Sequence, residues 1–304
     1  MKCFAFAILS KVLICRGFHH IYFIGVFMPN ATVEPFFEGE ILSAYEKANK
    51  DGSLDPRCIP EHLHGEPPIG ADIHYPTYSD DEHAVWQFLY NRQCALLPNR
   101  ASVDFLSGIS LLGLNADRIP KLSELSATLE RATGWRVARI PGLLHERDFF
   151  ELLSRRIFPS TDYIRGRHEL NYTPAPDLFH DIFGHLPMLT HQDFADFYQL
   201  FGKAALHAEG KHRVMLERLH WFTVEFGLVR ESGGIRIFGS GALSSSEEVE
   251  HALSDKVTVH PFSVETVVAQ DYDVWHLQDV LFVLDSFEQL KAAFSDWTHA
   301  EGLL

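Results

Sequence analysis

His180 and His185 stand five residues apart in TPAPDLFHDIFGHLPML, residues 173–189, a stretch that is otherwise mostly apolar. Phe179, Ile182, Phe183, Leu186 and Met188 call for burial there, and a buried imidazole needs a partner. Helical residues advance about 100° each, so a pair five apart diverges by about 140° in a regular α-helix. Such a pair converges on one ion only where the helix is irregular or ending, and Gly184 and Pro187 supply an ending. The chain has 18 histidines, so a single one carries little weight; the surroundings single out these two.

The second piece is HWFTVEFGLV, residues 220–229, where Glu225 is the one carboxylate among Trp221, Phe222, Val224, Phe226, Leu228 and Val229. A buried carboxylate is costly unless it meets a cation, either a buried arginine or a metal. Two imidazoles and one carboxylate hold one face of a non-haem Fe(II) and leave positions open for water, O2 or substrate. Ligation by nitrogen and oxygen without cysteine suits Fe(II) better than structural zinc. A zinc hydrolase with a metal-bound hydroxide is the competing reading of the same residues. A binding protein without catalysis is a third. Trp221 precedes Glu225 by four residues, on the same helical face, where it would wall the open side of the metal. Taken alone, GLLHERDFF (142–150), YIRGRHELNYTP (163–174) and FGSGALSSSEE (238–248) are weak signals.

The elements that must position these groups are mostly helical. Apolar spacing at three and four predicts helices over about 35–49, 80–96, 101–113, 121–133, 147–156, 191–208, 211–229, 246–254 and 286–297. Strand candidates are 135–140, 235–238, 257–260 and 281–284. Strands this few, with no alternation with helices, argue against a doubly wound parallel sheet and for a mostly helical α+β fold with small β-ribbons. The Pro- and Gly-rich stretch from about 50 to 80 is expected to be a long surface excursion. Net charge is −15, which argues against a basic groove for nucleic acid or a basic membrane-binding face. Cys3, Cys15, Cys58 and Cys94 form neither a C-x-x-C pair nor a metal-spaced cluster, as suits a reducing, cytoplasmic compartment. Residues 1–27 are apolar but interrupted by Lys11, Arg16, His19 and His20, and no run reaches a membrane span. Met28 is an alternative start. Residues 1–30 are expected to be a tail and 31–304 a single catalytic domain.

Together these segments resemble the catalytic domain of the pterin-dependent aromatic amino acid hydroxylases, most of all its small bacterial members that act on phenylalanine. The resemblance covers about residues 80–297, on the motifs TPAPDLFHDIFGHLPML, WFTVEFGL, GSGALSS and VLDSF. It implies that fold, with His180, His185 and Glu225 as iron ligands. It implies Gly142, Leu144 and Phe149 at the pterin, with Phe149 stacking on its ring. Arg165 would pair with the amino acid's carboxylate, Thr173, Gly241 and Ser244 would line its backbone site, and Trp221 and Phe226 would wall its ring. Asp177 would orient the segment before His180. Three positions depart from the family pattern: His220 replaces a usual Tyr, Ala175 a frequent Glu, and Ser240 a usual Ala.

The implied activity is ring hydroxylation of L-phenylalanine to L-tyrosine in phenylalanine catabolism, with Fe(II), a tetrahydropterin as electron donor and O2 as co-substrate. The alternatives are hydroxylation of tryptophan or tyrosine, or of phenylalanine at C3. Trp221 falls where tryptophan-hydroxylating relatives tend to carry Phe, and Val274 where tyrosine-hydroxylating ones carry an acid; both features favour phenylalanine. Pterin-recycling enzymes would be indirect partners. The chain stops at Leu304, soon after LDSFEQLKAAF, so the tetramerisation helix of larger members has no counterpart and the resemblance implies a monomer or weak dimer.

Overall fold

Serine caps fix where several helices begin, and the computed structural model shows them for residues 55–171, 173–272 and 276–304, the residues it describes. The helix expected at 35–49, the alternative start at Met28, the N-terminal tail and Val274 lie outside that range. The Ser79 side chain accepts from the backbone N–H of Glu82, whose carboxylate returns to Ser79, and α1 follows over Asp80–Leu96. The Ser102 hydroxyl accepts from the Phe105 N–H and starts α2, Val103–Leu111. The next helix, α3, runs over Leu122–Thr133 and ends at Gly134 in the left-handed region, φ 76°. The later helices are α4, Glu146–Ser154; α5, Gln192–Ala205; α6, Lys211–His220; and, after the sheet described below, α7, Ser240–Ser244; α8, Ser246–His251; α9, Val264–Ala269; and α10, Phe287–Ala300. Ser286 caps α10 through the Gln289 N–H.

The strands form two sheets. β1, Arg136–Ile140, and β2, Ile157–Thr161, pair in parallel with Arg136 opposite Ile157 and Ile140 opposite Thr161. The second sheet has β3, Leu228–Glu231; β4, Gly234–Ile237; β5, Thr258–Pro261; and β6, Val280–Leu284, in the order β4-β3-β6-β5. Only β3–β4 is an antiparallel ribbon, while β3–β6 and β5–β6 are parallel. The α+β class holds, and the small sheets are more parallel than ribbons would be.

Two local expectations change. β2 was not anticipated because all five of its residues are buried, so it lacks the alternation that marks a half-exposed strand. Pro159 within it is tolerated because β2 has a neighbour on one side only. The helix expected over 211–229 ends as α-helix at His220, continues as a π-turn over Trp221–Glu225, and is replaced by strand β3. Gly227 makes the break. A Cβ there would lie 2.1 Å from the Phe238 ring and 2.3 Å from the Thr223 carbonyl. The backbone closes instead by Gly227 N–H to Thr223 O, 3.0 Å, and Phe238 N–H to Gly227 O, 3.0 Å.

Helix α5 is the centre of the core. Phe194, Phe197, Tyr198 and Phe201 are all buried on it, and the Phe201 ring stacks on Phe294 of α10. Its Gly202 lies against α4, where a Cβ would come within 2.7 Å of both Leu153 Cβ and the Ser154 backbone nitrogen. Because α4 carries Phe149, this crossing sets the position of one wall of the cavity described below. Gly202→Ala is expected to cost about 1–3 kcal/mol through overpacking, lowering Tm by about 3–10 °C for a domain of this size. Calorimetry showing an unchanged Tm would mean that α4 yields freely at this crossing.

Candidate active site

Residues His180–His185 form one π-helical turn, fully buried. The i→i+5 winding has more residues per turn than an α-helix, so residues five apart are brought toward one face, which is why the pair converges although an α-helix would splay it. The His180 and His185 Nε2 atoms are 2.9 Å apart. Gly184 lets the turn pack on α7: a Cβ there would lie 3.0 Å from the Ser240 carbonyl oxygen.

Hydrogen bonds set the tautomer of His180. The Ser244 hydroxyl donates to the Ser240 carbonyl, 2.8 Å, so toward His180 Nδ1, 3.0 Å away, it serves as acceptor. Nδ1 therefore carries the ring proton, and Nε2 presents a lone pair toward His185 and Glu225. Burial, with the charge of Arg165 and His220 nearby, drives the His180 pKa down to about 3. Burial and His180 likewise hold His185 well below the ordinary imidazole range. Both rings are neutral, as a metal ligand must be.

Glu225 ends the second π-turn and faces this pair. Its Oε1 lies 3.4 Å from His185 Nε2, and its Oε2 lies 3.9 Å from His180 Nε2. No lysine or arginine of the described residues pairs with it. Oε2 and the Val224 carbonyl both lie 3.0 Å from the Ser240 hydroxyl, whereas Oε1 is buried without a hydrogen-bond partner. Burial raises the Glu225 pKa to about 8, with Asp181 adding to the rise and Ser240 and the Gly241 N–H opposing it. One ligand atom from each of the three residues fits within 4.8 Å of the others. Two nitrogens bound at about 2.1 Å and at right angles would sit about 3.0 Å apart, close to the 2.9 Å observed. An orphaned carboxylate oxygen beside the Nε2 atoms of two neutral imidazoles is a donor set made for a divalent cation. The residues fit a mononuclear iron.

Asp177 fixes the entry to the turn. Its carboxylate accepts from the His180 backbone N–H at 3.1 Å and from Arg165 through the backbone N–H, Nε and Nη2 at 2.9, 2.8 and 2.7 Å. Burial pushes the Asp177 pKa up, but the charge and hydrogen bonds of Arg165 outweigh it and hold the group below the ordinary carboxylate value. The bidentate edge of Arg165 thus faces Asp177, and Nη1 is the nitrogen left for another anion.

A solvent-open cavity of about 610 Å³ borders the two histidines on the side of α4. Gly142, Leu144 and Phe149 line it, as do Glu146 and Asp181. The other expected residues are not among those lining this cavity. Thr173 donates to the Ala175 carbonyl, 2.9 Å, within the Asp177 loop. Trp221 packs on Phe226, ring centroids 4.6 Å apart. Gly241 touches Glu225 itself: a Cβ would come 2.9 Å from Oε2. Ser244 sits at His180 Nδ1. Of the departures, Ser240 adds the hydrogen bond to Glu225, Ala175 is buried, and His220 is buried beside Glu225, Nδ1 to Oε1 3.9 Å.

Sequence reasoning missed several groups. Asp181 is buried in the cavity wall, accepting from the Thr161 N–H and hydroxyl at 2.8 and 3.0 Å; burial raises its pKa to about 7. Glu146, paired with Arg213 behind the wall, is also raised by burial to about 7. The signal available was a charged residue next to a histidine or an aromatic within an apolar segment. Tyr272 stacks on Trp221 at 4.6 Å, from a segment with no periodicity to mark it. The strap over 55–64 was read as a surface excursion, yet its Glu61 exchanges backbone hydrogen bonds with Leu143 and His145 at 2.9 and 2.8 Å and braces the cavity loop.

Comparison with known proteins gives a consistent result. Residues 64–301 match the family described as biopterin-dependent aromatic amino acid hydroxylase. The phenylalanine-4-hydroxylase of Pseudomonas aeruginosa is 42% identical over 230 residues, covering 76% of this chain and 87% of that one. The Chromobacterium violaceum phenylalanine hydroxylase with bound iron(III) and oxidised cofactor 7,8-dihydrobiopterin matches with TM-score 0.71 and 37% identity, over 86% of this chain and 93% of that one. The iron- and phenylalanine-bound form of that enzyme matches with TM-score 0.68 and 40% identity, over 74% and 84% of the two chains.

The buried acids give a pH signature to the metal-free protein. Folded Glu225 keeps its proton up to about pH 8, while an unfolded glutamate loses it near 4.5, so stability falls as pH rises between these values. His180 works the other way, but only between about pH 3 and 6.5. Asp181 and Glu146, at about 7, are half-titrated at pH 7 and add a smaller fall above it; Glu217, which burial also holds well above the ordinary carboxylate range, adds to the fall. From pH 7 to 8 Glu225 by itself is therefore expected to cost the metal-free protein about 1 kcal/mol, and Glu225→Gln is expected to remove that part of the loss in urea titrations at the two pH values. A wild-type stability that rises over this interval would contradict the buried, protonated Glu225.

Proposed function

The chain belongs to the biopterin-dependent aromatic amino acid hydroxylases, and from that premise we propose that it is an Fe(II)- and tetrahydropterin-dependent monooxygenase that converts L-phenylalanine to L-tyrosine. The observation that carries the reading is the convergence of His180, His185 and Glu225 in a buried site with an unpaired carboxylate oxygen. Bound iron and reduced pterin would supply electrons and the activation of O2, which no side chain can. The residues of the chain do the rest. His180, His185 and Glu225 hold one face of the metal and leave the other open. Phe149 offers its ring to the pterin, with Gly142 and Leu144 beside it in the cavity wall. Arg165, fixed by Asp177, offers Nη1 to the carboxylate of the amino acid. Thr173, Gly241 and Ser244 shape the site of its backbone, and Trp221 and Phe226 wall its ring. The apolar surroundings keep bulk water from the reacting centre.

Phenylalanine is the substrate of the named relatives, and the aromatic wall of Trp221 and Phe226 suits an unsubstituted ring. A phenol buried there without a partner would cost roughly 1–3 kcal/mol. We take residues 31–304 as one catalytic domain acting as a monomer in the cytoplasm, supplied with reduced pterin by separate recycling enzymes. No helix among the described residues is long and apolar enough to cross a membrane.

The test of the activity is competition between equal phenylalanine, tyrosine and tryptophan with Fe(II), tetrahydropterin and O2. Tyrosine formed from phenylalanine is expected to dominate by about ten- to a hundredfold in kcat/KM. Turnover without O2 or pterin, or faster formation of dihydroxyphenylalanine or hydroxytryptophan, would refute the reading. The cofactor assignment has its own test. Phe149→Ala is expected to raise the pterin KM about fivefold, the loss of a stacking contact of roughly 1 kcal/mol, and to change the amino-acid KM less. An unchanged pterin KM would remove Phe149 from the cofactor site.

A further inference from the structure

Behind Glu225 stands a third buried imidazole. His220 closes α6, with its Nε2 3.1 Å from the Tyr198 hydroxyl and its Nδ1 3.9 Å from Glu225 Oε1. The two oxygens of Glu225 are treated differently. Oε2 receives the Ser240 hydroxyl at 3.0 Å, whereas Oε1 is buried with no hydrogen bond. Tyr198 comes from α5, in the centre of the core, and its ring lies 5.8 Å from that of His220.

The proton on His220 can be placed. Among the described residues, the hydroxyl of Tyr198 has His220 as its one hydrogen-bond partner. A buried phenol must use its O–H, so it donates to Nε2, and the ring's own proton sits on Nδ1. Were the ring to gain a second proton, Nδ1 would still carry one. In either state an N–H therefore faces Oε1, the oxygen that lacks a donor. At 3.9 Å it is short of a hydrogen bond, and a shift of about 1 Å completes one. Groups that orient a ligand in this way fix its direction and strengthen the metal site.

We propose that Tyr198 and His220 form a relay that positions Glu225: the Tyr198 hydroxyl sets the tautomer of His220, and His220 Nδ1–H holds Glu225 Oε1, fixing the tilt of the carboxylate against the two imidazoles. His220 is thus a positioning residue, and metal affinity depends on Tyr198 although Tyr198 makes no hydrogen bond to His180, His185 or Glu225. The inference rests on the reading of those three residues as metal ligands.

The experiment is anaerobic calorimetric titration of metal-free protein with Fe(II), with Co(II) as a second probe and Tm recorded for each variant. His220→Phe is expected to weaken metal binding about 10–100-fold. Tyr198→Phe is expected to weaken it several-fold, and the double variant no further than His220→Phe alone, because the two act as one unit. His220→Asn, whose amide can present an N–H from a similar place, is expected to recover most of the affinity. A packing role alone would lower Tm in each variant, leave the metal Kd unmoved and give no rescue by asparagine. Wild-type affinity in His220→Phe, or independent losses in the two single variants, overturns the relay. Should His220→Phe fail to fold, wild-type affinity in Tyr198→Phe overturns it equally. His180→Ala is the control: equal affinity in this variant and the wild type would overturn the ligand set itself, and the relay with it.

Discussion

Two neutral imidazole nitrogens 2.9 Å apart in an apolar interior can share one proton or one cation, and much of this structure exists to hold them so. An α-helix cannot bring residues five apart together, so the chain spends a π-turn on it. That turn has to be pinned at each side. Asp177 takes the N–H at its entry, Ser244 takes His180 Nδ1–H, and Gly184 brings the backbone against Ser240. A second π-turn delivers Glu225 from the far side, and Gly241 leaves room for its carboxylate. Weakening one of these supports leaves polar groups buried with poor geometry, at a cost of roughly 1–3 kcal/mol each.

The buried charges around the pair behave in two ways. Asp181 and Glu146, in the cavity wall, have pKa values raised by burial to about 7. The Arg165–Asp177 pair, almost fully buried, stays ionised because the two charges and their hydrogen bonds offset desolvation. In the proposed function, the first set would meet the N–H groups of a pterin and the fixed cation of Arg165 the carboxylate of an amino acid.

Much of this was legible in the sequence because burial leaves a mark. The runs of apolar residues around His180, His185 and Glu225 announced that those polar groups were inside, and Gly184 and Pro187 announced an irregular helix. The capped helices fell close to their expected bounds, as over Asp80–Leu96, because serine caps and apolar periodicity agree there. Strand β2 was invisible because burial on both faces erases alternation. Strand β3 was taken for helix because WFTVEFGLV keeps helical spacing up to Gly227, where a contact with Phe238, distant in sequence, decides the matter. The tautomers of His180 and His220 and the bidentate use of Arg165 by Asp177 depend on partners brought together only by the fold, so no local pattern could carry them.

The central claim is that one π-turn and one carboxylate make a three-ligand iron site. X-ray absorption at the iron edge on anaerobically loaded protein, with and without Glu225→Gln, measures it directly. The account predicts two imidazole nitrogens at about 2.1 Å and carboxylate oxygen at about 2.0–2.2 Å, with the remaining scatterers exchangeable water and the carboxylate contribution altered in the variant. A spectrum with one imidazole, or with sulfur, or one unchanged by Glu225→Gln, would contradict it.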